Sequence, residues 1–255
     1  MQGKLTRTLS YREVVALSFG AMIGWSWVVM SGTWVINAGS LGAIAAFLVG
    51  GCVVLLVGLT YAELASSMPV AGGEHTYSHR ALGSTASFIC TWSILFGYVS
   101  VVSFEAVALP TVVEYILPNL NHIYLWTILD WDVHASWVMV GVSGAFLISL
   151  INILGIKTAA RIQLLVTGMI IIGGLILLMG ASKAGQISNL SPFFQNQTQG
   201  FLSVLIMVPF MFVGFDVIPQ AAEELNISFK KIGHTIILSI LMAITWYILI
   251  ILAIS

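Results

Sequence analysis

Between Glu13 and Glu63 the chain carries no charged side chain. A helix crosses the roughly 30 Å hydrocarbon core of a bilayer in about 20 residues, so this run alone is long enough for more than one crossing. A soluble domain keeps about a quarter of its residues charged, whereas here 7% are charged and 59% are hydrophobic. The chain is therefore a polytopic membrane protein. Spans of a transmembrane β-barrel would alternate in hydrophobicity over about 10 residues; the apolar runs here are unbroken, and the expected class is all-α. Lys4, Arg7 and Arg12 precede an apolar run that is too long for a secretory leader and has no small-residue cleavage site, so the first span is expected to stay.

Hydropathy places spans at residues 14–36, 41–64, 86–109, 137–156, 162–181, 201–222 and 233–255, seven in all. Basic residues near span ends stay on the cytoplasmic side. In this arrangement Lys4, Arg7, Arg12, Arg80, Lys157, Arg161, Lys230 and Lys231 fall on the N-terminal side and Lys183 alone falls opposite. The N-terminus is expected in the cytoplasm, with the chain in the plasma membrane. That orientation opposes a seven-helix receptor, and the last span has no lysine for a retinal Schiff base. Nothing in the charge pattern points to nucleic acid.

Few residues suggest metal, cofactor or redox chemistry. Cys52 and Cys90 lie in different spans, which suits packing better than a disulfide or a metal knuckle. "GEHTYSH" places His75 and His79 one helical turn apart beside Glu74, but without a third suitably spaced ligand it reads as a solvated cytoplasmic loop. Asn196-Gln-Thr and Asn226-Ile-Ser match the glycosylation pattern, the second on the cytoplasmic side. "NLNHIYLWTILDWDVHAS" mixes aromatics with Asp130 and Asp132 and reads as an external loop partly in the membrane interface. No cofactor and no metal are expected.

Polar and flexible residues inside two spans carry the functional reading. "SFGAMIGWSWVV" sets Gly20, Gly24 and Ser26 within the first span. Glycine lowers helix stability by about 1 kcal/mol relative to alanine, and small residues four apart also serve close helix packing. The sixth span decides between these readings, because "PFMFVGFDVIPQAAEE" joins Gly214, Asp216 and Pro219 in one membrane segment. An acid at membrane depth costs at least about 2.5 kcal/mol on insertion scales and is a functional candidate by default; proline removes a backbone donor. Interrupted first and sixth spans point to a transporter built from inverted five-helix repeats, with substrate bound at the midplane between the breaks. The expected domains are a cytoplasmic N-terminus (1–13), a first five-helix repeat (14–182) and the first two helices of an incomplete second repeat (200–255).

"GAMIGWSW", "YAELASSMPVAGGEHTYSHRALG" and "FVGFDVIPQAAEELN" together resemble the amino acid–polyamine–organocation permeases, and the likeness runs from the first span to the seventh. The resemblance implies the five-plus-five (LeuT-like) fold with broken first and sixth helices. It also implies secondary transport of an amino acid or related amine, and no enzymatic activity. It places backbone amides of Ile23, Gly24, Trp25 and Ser26 at the substrate's anionic end. The family's usual Gly-Ser-Gly-Ile is replaced here by Gly24-Trp25-Ser26-Trp27, which restricts close approach of a carboxylate and leaves an amine, an amino alcohol or an aromatic compound open. Phe212, Val213, Gly214, Phe215 and Asp216 stand where the family receives the substrate ammonium, with Phe212 or Phe215 as an aromatic lid. Some proton-driven relatives carry a lysine in the fifth span, where this chain has Ile170. Coupling to a proton or to sodium stays open, with Asp216 and Glu105 as candidate proton carriers. Because such a fold needs ten spans, the chain is expected to be a fragment of a longer permease. The alternative is a membrane sensor that keeps the site without transporting.

The orientation is testable by fusion. A reporter active only outside the cytoplasm is expected to be active after Leu129 or Gln195 and silent after Thr158; the reverse pattern would refute the basic-residue assignment.

Overall fold

A computed structural model describes residues 7–118 and 122–255; Lys4 and loop residues 119–121 lie outside them. The chain forms two compact units, one running to Thr91 and resuming over Ala160–Ser255, the other comprising Trp92–Ala159.

The expected first span is two helices, α1 (Tyr11–Ile23) and α2 (Ser26–Ala38), bent by 44°. The Glu13 carboxylate in the first turn of α1 accepts the Ser10 N–H at 2.8 Å, which closes the start of the helix. α3 (Ser40–Ser67) and α4 (Gly73–Ile116) follow, then strands β1 (Tyr124–Ile128) and β2 (Trp131–His134). After them come α5 (Ala135–Ile153), α6 (Ile156–Ala184), α7 (Gln197–Met211), the single turn α8 (Val217–Gln220) and α9 (Phe229–Ile254). Among the described residues, α3, α4, α5, α6 and α9 are long and apolar enough to cross a membrane, and the bent α1–α2 pair makes a sixth candidate. α7 has 15 residues, short of a crossing by itself.

In the first unit α3 packs along α9 and α7, α9 along α1, and α2 along α7. Lipid tails are as apolar as leucine, so helices in a bilayer associate through close packing rather than through the hydrophobic effect. Glycine on α3 provides that closeness. A Cβ on Gly50 would fall 2.6 Å from a Val208 methyl of α7, and one on Gly51 would fall 2.7 Å from Ile244 of α9. In the second unit α5 meets the later part of α4 at Gly141, which faces the Ala106 carbonyl.

Three sequence expectations need correction. The expected all-α class omits an antiparallel hairpin, β1–β2, in the segment read as an external loop partly in the membrane interface. Leu129 and Asp130 form its two-residue turn with φ of 48° and 63°, the left-handed pair that suits the twist of a hairpin. Neither is glycine or asparagine, so the usual signal is missing. "GEHTYSH", expected as a solvated loop, is helical: α4 begins at Gly73, ahead of the third span expected from residue 86. α4 then breaks at Gly83 (φ 84°, ψ −177°) before continuing. Finally, Cys52 is exposed on α3 rather than packed; both cysteines are free.

Candidate functional site

Ile23 is fully buried and ends α1; Gly24 and Trp25 are non-helical; Ser26 restarts the helix as α2. Trp25 contributes no side-chain cap to α2. A helix start leaves backbone N–H groups without intrahelical partners, and a helix end leaves carbonyls in the same condition. The bend therefore sets the carbonyl end of α1 beside the amide end of α2.

The sixth-span candidates form a matching interruption. α7 stops at Met211, residues 212–216 are turns, and Val217 opens α8. Pro209 inside α7 removes one backbone donor just before the stop. Gly214 holds φ at 129°, a conformation that side chains other than glycine rarely adopt. Its N–H donates to the Asp216 carboxylate at 3.1 Å, a local bond that fixes the turn.

The two interruptions adjoin. A Cβ on Gly214 would sit 2.6 Å from the Ala21 Cβ and 3.1 Å from the Met22 nitrogen, so no side chain fits between the turn and the end of α1. From α9, the Tyr247 hydroxyl lies 2.6 Å from the Met22 carbonyl oxygen and 2.9 Å from that of Met211, its one proton shared between them. An uninterrupted helix would commit these carbonyls to N–H groups four residues on. The Tyr247 ring is fixed by Phe47 of α3 at 5.0 Å, Phe212 at 5.4 Å and Trp34 of α2 at 5.8 Å between centroids. Phe212 is thus fully buried in this cluster, while Phe215 is half-buried and meets the Tyr61 ring edge-on at 5.3 Å. A second tie lies at the other end of these segments, where the Thr8 and Leu9 N–H groups donate to the Glu224 carbonyl and the Asn226 N–H donates to the Leu9 carbonyl.

Of the predicted site residues, Ile23, Gly24, Trp25, Ser26, Phe212, Val213, Gly214, Phe215 and Asp216 all belong to the first unit, and Glu105 belongs to the second, half-buried on α4. Sequence reasoning missed Tyr247. Its only signal was a phenol inside an apolar span, which needs a hydrogen-bond partner when buried. His75 and His79 stand 6.1 Å apart between ring centroids, and the His75 ring nitrogen bonds with the Thr91 hydroxyl at 2.8 Å. Among the described residues no group of three or more His, Cys, Asp or Glu side chains could hold a metal ion. A cavity of about 490 Å³ lies in the second unit between Pro110, Trp131 and Trp137, and no charged residue lines it.

The family described as amino acid permease matches residues 13–255. The branched-chain amino acid permease BcaP of Bacillus subtilis is 29% identical over 249 residues, 96% of this chain and 53% of that protein. The amino-acid permease RocC of the same organism is 30% identical over 230 residues, 88% and 48% of the two chains. Its methylthioribose transporter is 26% identical over 249 residues, 96% and 54% of the two chains. The chain spans about half the length of these curated relatives.

Tyr247→Phe keeps the ring in its cluster and removes only the hydroxyl. Leaving buried carbonyls without their donor is expected to destabilise the chain by about 1–3 kcal/mol, read as a lower melting temperature in detergent. An unchanged melting temperature would show that the hydroxyl does not hold the two helix ends.

Proposed function

The chain belongs to the amino acid permease family, and from that premise we propose that it builds the substrate site of a secondary active transporter for amino acids or related amines. The substrate lies near the membrane midplane between the α1–α2 interruption and the α7–α8 interruption. Counting α7, its turn and α8 as one broken span gives seven spans, the first five forming one repeat and the last two opening its inverted partner. The N-terminus is cytoplasmic, as the basic residues favour.

The juxtaposition of Gly214 with Ala21 and Met22 carries this reading, because it brings the sixth-span turn to the α1–α2 bend, where the carbonyl end of α1 already adjoins the amide end of α2. The amide end of α2, at Trp25 and Ser26, carries partial positive charge and suits the anionic or polar end of a substrate, to the extent that the bulk of Trp25 admits it. The carbonyl ends of α1 and α7, with Val213 and Gly214, carry partial negative charge and suit an ammonium. An amino acid presents those two charges a few bonds apart. Phe215 is the better placed of the two lid candidates, since Phe212 is committed to the Tyr247 cluster. The printed names of the relatives, amino acid permeases and a methylthioribose transporter, support a small polar substrate. The bulk of Trp25 selects within that class.

Gly24→Leu tests the site directly. Binding of a radiolabelled pool of L-amino acids to the purified chain is expected to be lost in this variant. It is expected to be retained in Gly97→Leu, where a side chain meets nothing within 4 Å. Normal binding by Gly24→Leu would place the substrate elsewhere.

A further inference from the structure

The segment expected to be a solvated loop instead delivers a buried acid. Glu74, in the first turn of α4, is 7% exposed. Gly73 brings this helix start against α8: its φ is 44°, and a Cβ there would lie 3.3 Å from the Gln220 side chain and 3.7 Å from Pro219. Gln220 donates its amide to Glu74 Oε2 at 3.3 Å. Among the described residues Glu74 Oε1 has no hydrogen-bond partner, and neither does the buried hydroxyl of Tyr77, one turn along α4. The Tyr61 hydroxyl of α3 also hydrogen-bonds to the carboxyl group, and Asp216 of the sixth-span turn places a second acid in its field. Glu223 is engaged nearby by the Ala71 N–H at 3.2 Å. The groups that act on the Glu74 charge are Tyr61, Gln220, Asp216 and its own backbone, with no basic side chain among them.

An ionised carboxylate with a bare buried oxygen and a second acid in its field is expensive, whereas a proton on that oxygen removes both the charge and the unmet demand. The start of a helix acts in the opposite sense, since its amide end stabilises negative charge. Which tendency prevails depends on whether α8 covers the group. We propose that Glu74 is a proton-binding site gated by α8: it is the neutral acid while Gln220 and Pro219 cover it, and it releases its proton to water when α8 lifts away. The balance is one proton taken up and one released, with no other bond made or broken. Because α8 continues directly from the Val213–Asp216 turn, a substrate that moves this turn also changes the cover over Glu74. The proton site stands on its own geometry; its coupling to substrate rests on the transporter reading.

Infrared difference spectroscopy on the full chain in lipid bilayers tests the proton. A protonated-carboxyl C=O band is expected near neutral pH. It should vanish in Glu74→Gln, shift in Glu74→Asp and persist in Glu63→Gln, where the exposed acid is the control. Absence of the band from the unmodified chain overturns the proposal without recourse to any variant. In proteoliposomes, uptake of a radiolabelled L-amino acid pool driven by an imposed pH gradient is expected to be lost in Glu74→Gln and kept in Glu63→Gln. Undiminished gradient-driven uptake by Glu74→Gln overturns the coupling. A band that behaves as expected in a chain that moves no amino acid upholds the proton site and overturns the transporter reading instead.

Discussion

A single phenolic hydroxyl bonds the carbonyls that end both interrupted helices, and the geometry of the site follows from that meeting. In a bilayer, a helix that stops leaves carbonyls that no water is present to satisfy, at a cost of several kcal/mol each. Tyr247 answers this for Met22 and Met211 together. Two interruptions that would each be unfavourable alone are thereby made mutually dependent. The aromatic cluster of Trp34, Phe47 and Phe212 positions the hydroxyl, drawing on α2, α3 and the sixth-span turn. Gly214 then removes the last side chain that would hold the turn away from α1.

The surrounding helices make that arrangement rigid. α9 carries Tyr247 and is clasped by α3 through the close approach at Gly51. α7 is brought against α3 at the adjacent Gly50. The end of the sixth-span segment is tied to the strand-like stretch before α1 by the Leu9, Glu224 and Asn226 backbone bonds. α8, by contrast, is a single turn between Asp216 and Ala221, so it has little helix of its own to resist movement. This asymmetry, a fixed α9 beside a short α8, is what a site that binds and then releases requires.

Much of this was legible in the sequence because glycine and proline are local signals. Gly24 marked the first interruption, and the Gly214-to-Pro219 stretch marked the second, each to within a few residues. What escaped depends on tertiary contact. Tyr247 sits in a uniformly apolar stretch, and nothing nearby in sequence tells of carbonyls 36 and 225 residues away. Glu74 lies among polar residues that suit solvent equally well, and only the docking of α4 on α8 buries it. The β1–β2 hairpin escaped because its turn takes left-handed conformations at Leu129 and Asp130 rather than at the glycine or asparagine that would announce it. Asp216, singled out in the sequence as an acid within an apolar segment, accepts the Gly214 N–H.

The most direct test of the central claim, that the two adjoining interruptions bind one small molecule, is hydrogen–deuterium exchange of the full chain in lipid bilayers with and without a saturating pool of L-amino acids. Amides at Gly24–Ser26 and at residues 213–215 should exchange rapidly in the free chain. Both should slow together on addition of the amino acids, with the interior of α3 unchanged. Saturable amino acid binding that protects neither interruption, or only one of them, would contradict the account.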